Sequence, residues 1–179
     1  MIRRDVPRTG KNADAGDLSH WLLISQVEHA RITHQLAAAW KTLLPGASGL
    51  VRQEFLAALL HHDDGWKPWS RDPQIDPEHG RPYGFTEMPP RLAQEIWSGS
   101  IEACREIGPL AGWMVASHFI GLQGKPDDDP DDCDFGEWAR WLGEQDRRRT
   151  AWLAEWQAAG SQHSGTQHSE TQHHTAETA

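Results

Sequence analysis

Four side chains have the types and spacing to share a cation: His29, His62, Asp63 and His118. His29 opens a predicted helix whose next residues on the same face are Ile32, Leu36 and Trp40, so its ring is expected to point toward the core. His62 closes the stripe Val51, Phe55 and Ala58 of a second helix, and Asp63 follows it directly. His118 lies one turn after Met114 on a further apolar helix. Imidazoles and a carboxylate on apolar faces must find polar partners, because an unpaired buried charge is costly. One shared ion satisfies all four. A lone histidine of this kind is usually a hydrogen-bonded core residue, so the weight rests on convergence from three separate helices.

Mixed nitrogen and oxygen ligands suit Mn, Fe, Co or Zn and do not single one out. Such an ion lowers the pKa of a bound water and polarises a scissile group, which is the chemistry of a hydrolase acting on a small molecule. Asp64 is the expected catalytic group, orienting a ligand or accepting a proton; its plainer role is a turn residue. Gln26 sits one turn before His29 and can bond near the site, with helix-start solvation as the plain alternative. Trp66, Trp69, Tyr83 and Phe85 can wall a pocket, or simply clamp a loop to the core.

These residues need helices to hold them. Ile2 onward reads as a short strand, followed by a Gly-, Asn- and Asp-rich loop within residues 1–17. Trp21 to Ile24 reads as a strand pairing with the start of the chain. Ser25 and Glu28 form a capping-box pattern for a helix running to about Leu44, where Pro45-Gly46 stops it. A second helix covers Leu50 to His62, and Gly65 suits a left-handed turn after it. Trp66 to Pro90 is proline-rich and predicts a long irregular loop covering the site. Helices then follow over Pro90–Ile107, from Pro109 to about Leu122, and over Phe135–Ala158. The acidic stretch Lys125–Asp134 lacks the ligand alternation of a calcium loop and reads as a solvated linker. The fold class is therefore mostly α: a bundle of about five helices in residues 18–159. A His-, Thr- and Gln-rich tail, 160–179, is expected to be disordered.

The run Ala57-Ala58-Leu59-Leu60-His61-His62-Asp63-Asp64-Gly65 resembles the helix-end His-Asp signature of the HD-domain metal-dependent phosphohydrolases. That resemblance implies an HD-like bundle and a ligand histidine some thirty residues upstream, a position that falls on His29. It implies a phosphorylated or nucleotide-like substrate. It also implies a late aspartate ligand, for which Asp146 is the candidate, although Asp146 precedes Arg147-Arg148-Arg149 and reads as a surface residue. His118 corresponds to the additional histidines with which some members hold a second metal. Some relatives of that superfamily are di-iron oxygenases on the same ligand set, so oxygenation is the alternative chemistry, and a metal-stabilised binding module the non-catalytic one. More narrowly, the chain is similar to an uncharacterised bacterial family carrying a Gln-x-x-His-Ala element, a His-Asp-Asp-Gly-Trp element and a Gly-Arg-Pro-Tyr loop. Here these are Gln26–Ala30, His62–Trp66 and Gly80–Tyr83.

Bulk composition bounds these readings. The 179 residues carry a formal charge of -9, which argues against a nucleic-acid partner. Ten tryptophans argue for a folded core despite an apolar share of only 37%. Cys104 and Cys133 have no paired spacing, so neither a thiolate zinc site nor a disulfide framework is indicated. No apolar run is long enough for a membrane span, and no leader is evident, which makes the cytoplasm the expected compartment.

Overall fold

The computed structural model describes residues 2–7, 18–40, 42–123 and 135–170. Two antiparallel strands, β1 (Ile2–Pro7) and β2 (Leu18–Ile24), open the chain, with Ile2 opposite Ile24 and Val6 opposite His20. Helices α1 (Gln26–Ala39) and α2 (Gly49–His61) follow. The short helix α3 (Trp66–Arg71) leads to a hairpin of two-residue strands, β3 (Ile75–Asp76) and β4 (Arg81–Pro82). Helices α4 (Pro90–Ile107), α5 (Pro109–Gln123) and α6 (Phe135–Glu170) complete a mostly helical fold. Among the described residues, no helix is long and apolar enough to cross a membrane.

The core lies where α4, α5 and α6 meet. Trp97 of α4 stacks on Phe119 of α5 at 5.1 Å between ring centroids, and Trp138 and Trp141 of α6 close on the same indole at 5.3 and 5.8 Å. Ile101, Cys104, Ala111 and Ala116 are fully enclosed between these helices. The polar end of Trp141 is satisfied, its indole N–H donating to Ser98 Oγ at 2.9 Å. Arg148 lies 4.8 Å over the Trp152 ring and pairs with Glu102, so the arginine run on α6 packs as well as solvates.

Two polar contacts attach α1 and α2 to this core. Glu54 of α2 caps the start of α5, its Oε1 accepting from the Leu110 and Ala111 amides at 3.0 and 3.1 Å. A carboxylate there also meets the positive end of the helix dipole. His34 of α1 donates from Nδ1 to the Leu56 carbonyl of α2 at 2.8 Å. The first ties α2 to α5 and the second ties α1, which carries His29, to α2.

Several expectations are corrected. The face of α1 bearing Ile32, Leu36 and Trp40 does not point into the core: those side chains are 47%, 68% and 61% exposed. The buried positions are Gln26, Ala30 and Ala37, whose small or slender side chains allow α1 to lie close to its neighbours. The capping box does not form. Ser25 is the N-cap residue but its side chain makes no cap bond, and Glu28 pairs with Arg31 instead. Helix α1 also ends at Ala39, short of Leu44, which takes a positive φ of 56° in the turn beyond. Residues 66–90 are more regular than expected, containing α3 and the β3–β4 hairpin. Helix α6 continues past Ala158 to Glu170, because adding residues to an existing helix is far easier than starting one, and no proline intervenes. The loop at 8–17, the acidic stretch at 124–134 and residues 171–179 lie outside the described residues.

Candidate metal centre

His62 is the C-cap residue of α2, and Asp63 begins the tight turn that joins α2 to α3. The turn is held against α4 by Gly65. Its φ is -61°, so the glycine is not there for a left-handed turn, contrary to the sequence expectation. It is there for space. A Cβ on Gly65 would overlap the Ile96 carbonyl oxygen and come within 2.8 Å of the Ser100 amide nitrogen. The Gly65 amide donates to Ser100 Oγ at 3.0 Å, which fixes the turn at hydrogen-bond precision. Trp66, 1% exposed, anchors its far side.

His62 donates its Nδ1–H to the Leu59 carbonyl at 2.8 Å. That bond selects the tautomer whose Nε2 lone pair is free, the arrangement a metal-ligating histidine needs. The free Nε2 lies 3.3 Å from Asp63 Oδ2. Two donors each about 2.1 Å from one tetrahedral ion stand about 3.4 Å apart, so this pair already has the separation of shared ligands. His29 reaches the same point from the first turn of α1. One ligand atom each from His29, His62 and Asp63 lies within 4.8 Å of the others. Among the described residues no other group of three or more His, Cys, Asp or Glu side chains comes together in this way.

His62 and Asp63 are buried, 8% and 4% exposed, while His29 stands at the mouth. The expectation that His29 and His118 point into the core is corrected accordingly, since both are exposed on one side. His118 nevertheless belongs to the site. Its ring is 5.7 Å from that of His62, edge to face, and it lines the same cavity of about 180 Å³. It stands outside the three-atom group.

Burial holds the basicity of His62 below the ordinary histidine range, against the opposing pull of the Leu59 carbonyl and Asp64. Burial likewise lowers His118, helped by His62 and His29. Neutral imidazoles are the form that binds metal. The Asp63 carboxyl is pushed up to about 7 by burial, with His29 opposing. A carboxylate so poorly solvated gains strongly from a cation beside it.

Gln26 also lines this cavity, 7% exposed, and among the described residues its Oε1 has no hydrogen-bond partner. Buried amide oxygens are rarely left so. Trp66 forms part of the wall, as does Phe85, so the 66–90 segment touches the site at both its ends. Trp69 and Tyr83 do not line it. Trp69 packs edge-on against Trp66 at 5.5 Å, and Tyr83 packs against the core. Asp64 faces elsewhere, its Oδ2 held by His61 at 2.8 Å and by Lys67 at 2.7 Å. Asp146 is exposed on α6 and paired with Arg149. Sequence reading missed Ile2, Trp97, Phe119 and Leu122 as cavity walls. Phe119 and Leu122 had a signal, standing one and four residues after His118; Ile2 and Trp97 had none.

The fold and the site together describe a helical protein with a three-ligand metal-binding geometry open on one side. The chain belongs to the family described as "Protein of unknown function (DUF3891)", whose model matches residues 15–176. No curated protein and no solved structure matches it.

Proposed function

We propose that this chain is a metal-dependent hydrolase in which His29, His62 and Asp63 hold one divalent transition ion. Mn, Fe, Co and Zn all suit two imidazoles and a carboxylate. One observation carries the reading: ligand atoms from three residues lie within 4.8 Å of one another, two of them on buried side chains. Three protein ligands leave a coordination position open, which is the pattern of catalytic ions and not of structural ones. The ion would supply a water of lowered pKa and polarise the group under attack.

The chain's own groups have separate tasks. The Leu59 carbonyl keeps the His62 tautomer correct. Gln26 Oε1, without a hydrogen-bond partner among the described residues, would accept a hydrogen bond from the attacking water. His118, beside His62 and held by burial below the ordinary histidine range, would take up or return a proton at the cavity mouth. Asp64 is engaged by His61 and Lys67, so its part is to hold the α2–α3 turn. The resemblance to HD-domain phosphohydrolases, carried by His29 and His62-Asp63, is in keeping with this class of reaction.

The test is hydrolysis by protein stripped with chelator and reloaded separately with Mn, Fe, Co and Zn. A panel of p-nitrophenyl carboxylic esters and phosphates serves as substrate. Activity is expected only with a cation and is expected to fall in His62→Ala by more than the roughly 10–100-fold that loss of an outer-shell partner of a ligand costs. Activity indifferent to chelation overturns the proposal. A coloured, iron-loaded protein that consumes oxygen would favour the oxygenase reading, and tight metal with no turnover the binding module.

A further inference from the structure

A second cavity of about 210 Å³ lies beside the metal centre and shares Phe85, Trp97 and Leu122 with it as walls. Thr86, Met88 and Trp138 extend it away from the histidines. Each cavity alone is smaller than the roughly 300 Å³ at which small-molecule sites begin; opened to one another across the shared Phe85, Trp97 and Leu122 they would pass it. Among the described residues, neither is lined by a lysine or an arginine. A phosphate monoester carries up to two negative charges, and its oxygens are ordinarily met by guanidinium or ammonium groups. Moving such a group between Phe85, Trp97, Phe119 and Leu122 without those partners leaves buried charge uncompensated except by the ion itself.

From this lining we infer that the substrate is an uncharged acyl ester or amide with a hydrocarbon or aryl group, and not a phosphorylated compound. The inference rests on the metal-centre reading and specifies its substrate class. The carbonyl group lies at the His29–His62–Asp63 corner, and the apolar group runs past Phe85 and Trp97 toward Trp138. In the reaction, water gives its hydroxyl to the acyl carbon and its proton to the departing oxygen or nitrogen as the acyl bond breaks. Gln26 and His118 are the polar groups beside the ligand corner, and Thr86 and Gln123 those of the second cavity. The aromatic walls exclude bulk water from the acyl chain.

Hydroxamates test this, since their head group ligates a transition ion while the tail can be lengthened at will. Octanohydroxamate and acetohydroxamate are titrated into Zn-loaded protein, read by calorimetry and by tryptophan fluorescence, with inorganic phosphate as a competitor. A buried methylene is worth about fourfold in affinity, so a tail with even two methylenes inside gives octanohydroxamate a preference above about tenfold. Thr86 is exposed and lines the second cavity, so Thr86→Trp is expected to occupy that cavity from the surface. That variant should lose most of the preference for the long tail while binding Zn and acetohydroxamate as before. Equal affinity for both hydroxamates on Zn-loaded protein, or phosphate displacing octanohydroxamate more readily than acetohydroxamate does, overturns the substrate class and leaves the metal centre standing. Protein that takes up no Zn overturns both.

Discussion

Replacing Asp63 by asparagine should make the metal-free protein more stable in alkali and less able to hold a cation. The Asp63 side chain is 5% exposed, and burial lifts its carboxyl from the usual 3.8 to about 7. A raised folded-state pKa means that folding favours the protonated form. The stability from this residue is therefore complete below about pH 4 and is lost as pH rises through 7. At about 1.4 kcal/mol per pH unit the full loss is on the order of 4 kcal/mol, and roughly 2–3 kcal/mol of it falls between pH 5 and pH 8. His62 and His118, held below the ordinary histidine range, act oppositely, their contribution being lost as pH falls through about 6.5 and below. Comparing Asp63→Asn with the wild type reads the carboxyl together with its coupling to His29 and His62, which lie beside it. Urea unfolding in chelator at pH 5 and pH 8 provides the assay. The difference between the two proteins should shift by roughly 2–3 kcal/mol in favour of the variant at the higher pH. A difference independent of pH would show that the carboxyl is solvated, and the argument for a cation-hungry corner would go with it.

Three further outcomes follow from the packing. Gly65→Ala drives a methyl group into the Ile96 carbonyl, so it should cost about 1–3 kcal/mol in urea unfolding and weaken metal uptake; a change under about 0.5 kcal/mol would mean the α2–α3 turn is not pinned to α4. Ile101→Ala, at a fully enclosed position, should cost about 2–5 kcal/mol, whereas Leu36→Ala, 68% exposed, should stay within about 0.5 kcal/mol, and similar costs for both would contradict the orientation of α1. The Arg3 guanidinium bonds Glu87 at 2.7 and 2.9 Å and the Pro82 carbonyl at 2.6 Å, joining β1 to the segment that carries Phe85, so Arg3→Ala should speed limited proteolysis between residues 80 and 90; an unchanged rate would show the clamp to be dispensable.

The part of this protein legible in its sequence is the part written in local rules. The β1–β2 hairpin, α2, α4 and the start of α5 follow from apolar runs and from the turns at Pro45-Gly46 and Gly108-Pro109. The His62-Asp63 pair at a helix end was legible too, because its position depends on one helix. What sequence could not supply was the direction of a face. Ile32, Leu36 and Trp40 have helical spacing, yet Ala30 and Ala37 make the contact, since close approach favours small side chains over large ones. Gly65 looked like a helix stop and proved to be a clearance for α4, a long-range fact with no local trace. Trp97 entered the cavity wall from α4 for the same reason.

The central claim is that His29, His62 and Asp63 bind one cation together, and calorimetric titration of Zn into chelator-stripped protein tests it most directly. The account predicts one ion per chain at a tight site that is lost in His29→Ala, His62→Ala and Asp63→Ala and kept, with weaker affinity, in His118→Ala. Weak additional uptake by histidines beyond residue 160 would be the same in all four variants. A tight site unchanged by His62→Ala and Asp63→Ala, or no tight site in the wild type, would contradict it.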